Sequence, residues 1–204
     1  MNFIENIVLE NDRVRLEPLG KNHVNELLPI AIKHPDLLQY SPSPFGTREL
    51  LEENISKAIT SRIDEQRYPF AIFDKLNNRF VGSTSFGNIS TKDKRLEIGW
   101  TWIDKETQGT GINKYCKHLM LSHAFQKLIM QRVEFKTDNR NNQSKKAIEK
   151  IGGTFEGILR SHTLMLDGYR RDTAYYSILK NEWDSINNTI FKKIETAHNT
   201  VYSK

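Results

Sequence analysis

The stretch Gln108-Gly-Thr-Gly-Ile-Asn-Lys-Tyr115 (QGTGINKY) lies just past the middle of the 204-residue chain. It joins a β-like run, Glu97 to Ile103 (EIGWTWI), to a long amphipathic stretch. A helix N-terminus exposes unpaired backbone N–H groups and the positive end of its dipole, which together make an anion site. Gly109 and Gly111 lack the Cβ atoms that hold a phosphate off, and glycine tolerates the positive φ at which successive N–H groups converge. The two nucleotide signatures fail. A P-loop needs GxxxxGK followed by Ser or Thr, but Lys114 stands three past Gly111 with no hydroxyl residue after it. The dinucleotide pattern GxGxxG has Lys114 at its third position and no βαβ frame around it. On this motif alone, a plain tight turn remains open beside an anion cradle.

Outward from the loop, residue periodicity assigns the other elements. Val14 to Pro18 alternates as a first strand, and Lys21 to Lys33 carries a helical stripe of Val24, Leu27, Leu28 and Ala31. Thr47 caps a second helix whose face is Leu51, Ile55, Ala58 and Ile59. Three strand-like runs follow, YPFAIFD, RFVGSTSFG and RLEIGWTWI, the first two joined by a hairpin turn at Asp74 to Arg79. After the glycine loop, Ile112, Tyr115, Cys116, Leu119, Met120, Ala124 and Leu128 form one apolar helical stripe. Arg132 to Thr137 is a strand, and Ser144 to Ile151 a short helix ended by Gly152-Gly153. Strands at Glu156 to Leu166 and Tyr169 to Leu179 turn at Asp167-Gly168, and an amphipathic helix carries Trp183, Ile186, Ile190 and Ile194. The order β-α-α-β-β-β-α-β-α-β-β-α predicts an α+β domain, a mixed, mostly antiparallel sheet with helices on both faces.

The chain has no linker-like or repeated stretch, so one domain over 1–204 is expected, with a core at about 14–183 and a last helix at about 182–197. The start carries no charged-then-apolar signal, and no apolar run approaches a membrane span. A single cysteine, Cys116, excludes an internal disulfide framework; it sits on the apolar stripe and reads as core. A cytoplasmic location is the expectation. The net charge of +5 fits an anionic ligand, an acidic partner or nucleic acid. Without a basic stripe interleaved with aromatics, nucleic acid is the weakest of these. His118 and His123, five apart, miss the i, i+4 spacing of a two-histidine site, and no metal is expected.

The unit Gln-Gly-Thr-Gly-Ile-Asn after a strand, followed by RVEFKTDNRNNQSKKAIEKIGGTFEGILR, resembles the Gcn5-related N-acetyltransferase superfamily, whose coenzyme A loop reads Gln/Arg-x-x-Gly-x-Gly/Ala. Within it the chain most resembles the branch of ribosomal-protein N-terminal acetyltransferases of RimJ/RimL type, over roughly Val14 to Trp183. Asn113 departs from the pattern, standing where Gly or Ala is usual.

The resemblance implies acetyl-CoA as cosubstrate and a primary amine, on a protein N-terminus or a small molecule, as acceptor. It places the pyrophosphate on the amides of Gln108, Gly109, Thr110, Gly111, Ile112, Asn113 and Lys114, and runs the pantetheine arm along the backbone of Thr101, Trp102 and Ile103. Asn141 matches the asparagine that holds this arm, and Ser144 the serine near the sulfur, although both residue types also cap helices well. A backbone N–H there polarises the thioester; Gly99, a glycine inside a strand, suggests a bulge or close backbone approach. Strand alternation sets Ile98, Trp100 and Trp102 on one face and Glu97, Gly99, Thr101 and Ile103 on the other. Glu97 is therefore the candidate base, on the thioester side, with a solvent-facing glutamate as the alternative. Tyr40, Phe45 and Tyr68 are nominated as acceptor-pocket walls, and Arg160, His162 and Arg171 as polar contacts there. The oligomer expected is a monomer or homodimer. A CoA-binding module without catalysis is the competing reading, and retention of Glu97 and Ser144 argues against it.

Overall fold

The computed structural model describes residues 1–194. Two short strands come first, β1 (Leu9–Glu10) and β2 (Val14–Pro18), then helices α1 (His23–Lys33) and α2 (Arg48–Ile63). Three long strands follow, β3 (Arg67–Asp74), β4 (Arg79–Ser90) and β5 (Arg95–Ile103). Helix α3 (Ile112–Ser122) leads through one wider turn, His123–Lys127, to β6 (Arg132–Asp138). Helix α4 (Asn142–Glu149), the hairpin β7 (Thr154–Leu164) and β8 (Arg170–Leu179), and α5 (Lys180–Ile190) complete it. The part of the expected last helix beyond residue 194 lies outside the described residues.

All eight strands join one sheet in the order β1-β2-β3-β4-β5-β6-β8-β7. Every neighbouring pair is antiparallel except β5 and β6, which are parallel because α3 carries the chain between them. This is the mixed, mostly antiparallel α+β sheet the element order predicts. Thr47 caps α2 as expected, its hydroxyl accepting from Leu50 N at 3.3 Å. Strand β1 and the wide turn after α3 carry no periodic signal in the sequence.

Two apolar clusters flank the sheet. On one face Leu96, Ile98 and Ile103 pack with Met120, Phe125, Ile148 and Trp183 under α3, α4 and α5. On the other, Ala71 and Trp102 pack with Leu27, Leu51, Ile55 and Phe45 under α1 and α2. Cys116 is fully buried in the first cluster, and burial pushes its thiol up to about 12. Among the described residues no helix is long and apolar enough to cross a membrane.

Candidate active site

The centre of the sheet contains a wedge. Parallel pairing of β5 and β6 covers Arg95, Leu96 and Glu97 against Arg132, Val133 and Glu134, and then stops. Both strands continue, β5 to Ile103 and β6 to Asp138, so they part toward their C-terminal ends. Each is meanwhile held on its outer side, β5 by β4 and β6 by β8 through Asp138 and Thr173. The inner edge of β5 in the wedge is therefore free to pair with an extended ligand.

A bulge sits where the wedge opens. Ser83 pairs with Trp102 and Ser85 with Gly99, so Trp100 and Thr101 together oppose Thr84. Trp100 takes φ +50°, a left-handed conformation rare for a bulky residue. Its ring lies under the Arg67 guanidinium at 4.7 Å and over Gly87, where a Cβ would collide with it. This corrects the alternation read from the sequence. The extra residue inverts the parity of the strand, so Glu97 and Gly99 share the α1/α2 face with Trp102. Thr101 and Ile103 face α3 together with Ile98. Glu97 is thus on the opposite face of β5 from Thr101.

Two helix N-termini close the mouth of the wedge on the α3/α4 face. Gly109 and Gly111 adopt φ +80° and +89°. Among the described residues, a Cβ on Gly109 would meet nothing within 4 Å, and one on Gly111 only the Tyr115 ring at 4.0 Å. The glycines are thus required by backbone conformation, and the space before them is open. Gly111 is the N-cap of α3 and offers no side-chain cap. The loop is braced from within. Gln108 donates through Nε2 to Ile103 O at 3.0 Å, and its Oε1 accepts from Gln143 Nε2 at 2.8 Å, tying the start of α3 to that of α4. Thr110 turns its hydroxyl back to Thr107 O at 2.7 Å. Asn141 caps α4 by accepting from Ser144 N at 3.0 Å, and the Ser144 hydroxyl has no hydrogen-bond partner among the described residues. The Asn113 Oδ1 is buried without a partner among the described residues.

The other face carries the charge. Glu97 is 6 % exposed. Its Oε2 accepts from Asn88 Nδ2 at 2.6 Å and from Lys136 Nζ at 2.9 Å. The carboxylate folds over Gly99, where a Cβ would lie 2.7 Å from Oε1; the glycine makes room for it. Burial works against the Lys136 ammonium, but Glu97 outweighs it and holds this lysine above its ordinary value. Arg67, buried behind Glu97, is pushed down to about 10 by desolvation, with Glu97 opposing. Asn88 and Lys136, which both contact Glu97, also line a cavity of about 570 Å³, with Glu65, Arg95, His162 and Tyr175 among the other lining residues.

A wedge beside a bulged strand, capped by a glycine turn, is the frame of a recognisable family. The family model described as an acetyltransferase (GNAT) domain matches residues 13–154. The chain belongs to this family. It has the N-acetyltransferase fold, and acetyltransferases of the family take their acetyl group from acetyl-CoA. A GCN5-related N-acetyltransferase from Brucella melitensis is 28 % identical, with a TM-score of 0.82 over 92 % of this chain and 85 % of that one. YdaF of Bacillus subtilis, provisionally named a ribosomal N-acetyltransferase, is 29 % identical over 79 % of this chain and 96 % of its own. The Salmonella typhimurium acetyltransferase that modifies the N-terminal serine of 50S ribosomal subunit protein L7/L12 shares the fold. It is 21 % identical, with a TM-score of 0.74 over 85 % of this chain and 99 % of that one.

Within this GNAT frame the nominated acceptor residues separate. Tyr68 is fully buried in the core, its hydroxyl donating to Glu5 O at 2.6 Å. Phe45 is 7 % exposed and packs edge-on against Trp102, with ring centroids 5.0 Å apart. Neither lines the cavity beside Glu97. Tyr40 is half-buried; its carbonyl accepts from Arg171 Nη1 at 2.8 Å, and its ring lies 5.8 Å from the Arg140 guanidinium. Arg160 is exposed on β7. His162 does line the cavity, with Nε2 3.4 Å from the Tyr175 hydroxyl. Sequence reasoning missed Asn88, Arg67 and Lys136. Lys136 alternates with Val133 and Phe135, which marks it as opposite the core, but its meeting with Glu97 depends on the parallel register.

Proposed function

We propose that this protein transfers the acetyl group of acetyl-CoA to a primary amine by direct attack, with the two substrates reaching the wedge from opposite faces of the sheet. The observation that carries the reading is the two-sided wedge. Open glycine amides and two helix N-termini lie on the α3/α4 side, and a buried carboxylate beside a polar cavity lies on the other. Gln108 to Lys114 hold the pyrophosphate, where Gly109 and Gly111 leave the space a phosphate needs. The free edge of β5 at Thr101, Trp102 and Ile103 pairs with the pantetheine arm, and Asn141 steadies the same arm while capping α4.

The amine enters on the Glu97 side. Its nitrogen forms a bond to the thioester carbon, the carbon–sulfur bond breaks, and the electron pair leaves on sulfur. Glu97 takes the amine's proton through water, because its partners Asn88 and Lys136 line the cavity and its own carboxylate does not. Ser144, whose hydroxyl is uncommitted, donates a hydrogen bond to the departing thiolate. The acceptor class favoured is a protein N-terminal amine, supported by the names of YdaF and the Salmonella enzyme, with small-molecule amines as the alternative class.

Release of CoA thiol with N-terminal peptides, free amino acids and polyamines tests the reading. Amine-dependent release is expected, and a Glu97→Ala plus Ser144→Ala variant should bind acetyl-CoA with transfer reduced at least ~10²-fold. Full activity in that variant would remove both residues from their roles.

A further inference from the structure

One side chain near the wedge is out of keeping with its surroundings. Lys117 lies on α3 between Cys116 and the buried Met120, and is only 6 % exposed. Its ammonium donates to Thr101 Oγ1 at 2.8 Å, and no carboxylate pairs with it among the described residues. Thr101 is the second residue of the β5 bulge, and its hydroxyl also meets Thr84 Oγ1 at 2.8 Å. Thr84 in turn points at the Met120 sulfur at 3.5 Å. Among the described residues, the titratable group that acts on Lys117 electrostatically is the Cys116 thiol on its own helix, and β4 and β5 present the two threonines. Arg13, which begins the turn into β2 and acts on Cys116, is itself paired with Asp74. One turn before Lys117, on the same row of α3, stands the Asn113 Oδ1, buried and without a partner among the described residues.

A desolvated ammonium without a counterion is unfavourable until something anionic arrives to meet it. Burial has already pushed this one down to about 8. Resting on the acetyl-transfer reading, we propose that Lys117 is a positioning residue for the leaving group. Through Thr101 it holds a positive charge on the α3 side of the bulge, where the electron pair of the broken carbon–sulfur bond collects on the coenzyme A sulfur. The amine's proton departs on the opposite, Glu97 side, so the strand separates the two charges formed in the step. Lys117 gives up no proton in this role; its field favours the thiolate over the thiol.

The test compares CoA with acetyl-CoA binding by titration calorimetry from pH 6.5 to 8.5, in wild type, Lys117→Met and Thr101→Val. A cation near sulfur lowers the thiol pKa of bound CoA. The affinity of CoA relative to acetyl-CoA therefore rises with pH in wild type, by about tenfold for each unit of thiol shift. In Lys117→Met that rise disappears, and in Thr101→Val it weakens. Lys117→Met also lowers kcat on the order of 10²-fold, leaves the acetyl-CoA KM within a factor of about two of wild type, and does not lower the melting temperature. A merely structural lysine gives the reverse, lost stability with unchanged kcat. A flat CoA to acetyl-CoA ratio in wild type overturns the inference without needing any variant to fold, as does a Lys117→Met enzyme with wild-type kcat. Failure of wild type to bind either ligand overturns the acetyl-transfer reading and this inference with it.

Discussion

Two lysines flank the same wedge, Lys117 buried and Lys136 half-buried, and their environments push them in opposite directions. Lys136, on the α1/α2 face, has the Glu97 carboxylate at 2.9 Å and is held above its ordinary value. Lys117, on the α3 face, has among the described residues only the Thr101 hydroxyl at 2.8 Å and falls to about 8. Burial opposes the charge in both, so the counterion decides the sign. The difference separates a structural device from a strained one. The Glu97 side is an ion pair with hydrogen bonds to spare, whereas the α3 side stores an uncompensated charge beside the strand where the arm of acetyl-CoA is proposed to lie.

Breaking the paired side gives the largest effect. Glu97→Gln keeps one acceptor for Asn88 but leaves Lys136 to the more distant Glu134 carboxylate at 3.7 Å. Its kcat should fall by about 10²–10⁴-fold, with the dissociation constant for acetyl-CoA unchanged by calorimetry and a stability loss of about 1–3 kcal/mol in urea melts. Unchanged kcat would reduce Glu97 to a partner of Lys136.

Gly111→Val attacks the α3 side at the cofactor loop. At φ +89° a β-branched residue costs about 1–3 kcal/mol, and its side chain occupies the phosphate cradle. The acetyl-CoA KM should rise at least ~10-fold, more than the stability loss alone explains. An unchanged KM would place the pyrophosphate elsewhere.

The unpaired side is sharpened by pH. The Lys117 ammonium titrates near 8 in the folded chain, against an ordinary 10.5, so above pH 8 the unfolded chain holds a proton that the folded chain has lost. Stability therefore rises with pH from about 8, and the penalty present below that is on the order of 3 kcal/mol. The clean window ends near pH 9, the ordinary value of the Cys116 thiol. That thiol is raised to about 12 in the fold and works in the opposite sense above 9. Lys117→Met should be more stable than wild type at pH 7 and lose the rise between pH 8 and 9, measured by urea unfolding at each pH. The smallest effect is at the α4 cap. Asn141→Ala should cost about 1 kcal/mol and weaken acetyl-CoA binding a few-fold, read by thermal melting with and without ligand.

Much of this comparison was visible in the sequence, but not its geometry. Thr47, the Asp74–Arg79 turn, the glycine loop and the Asn141 cap are local signals, each set by backbone rules within a few residues. The element order and the two helical faces also follow from periodicity. Gly99 pointed to a bulge, yet strict alternation still placed Glu97 on the face of Thr101. Only the register, with Trp100 and Thr101 opposite Thr84, shows that the parity inverts between them. Lys136 meets Glu97 through a parallel pairing across a whole helix, which no local pattern encodes. Lys117 lies one position off the apolar stripe, and its burial follows from how α3 seats on β4 and β5. Tyr68 and Phe45 look like pocket aromatics until the fold places both in the core.

The most direct test of the two-sided wedge is the initial rate of CoA thiol release at saturating acetyl-CoA, followed as amine concentration rises. The account predicts release that depends on amine and saturates with it, fastest for an N-terminal peptide amine. No amine-dependent release across peptides, amino acids and polyamines, from protein that binds acetyl-CoA, would contradict it.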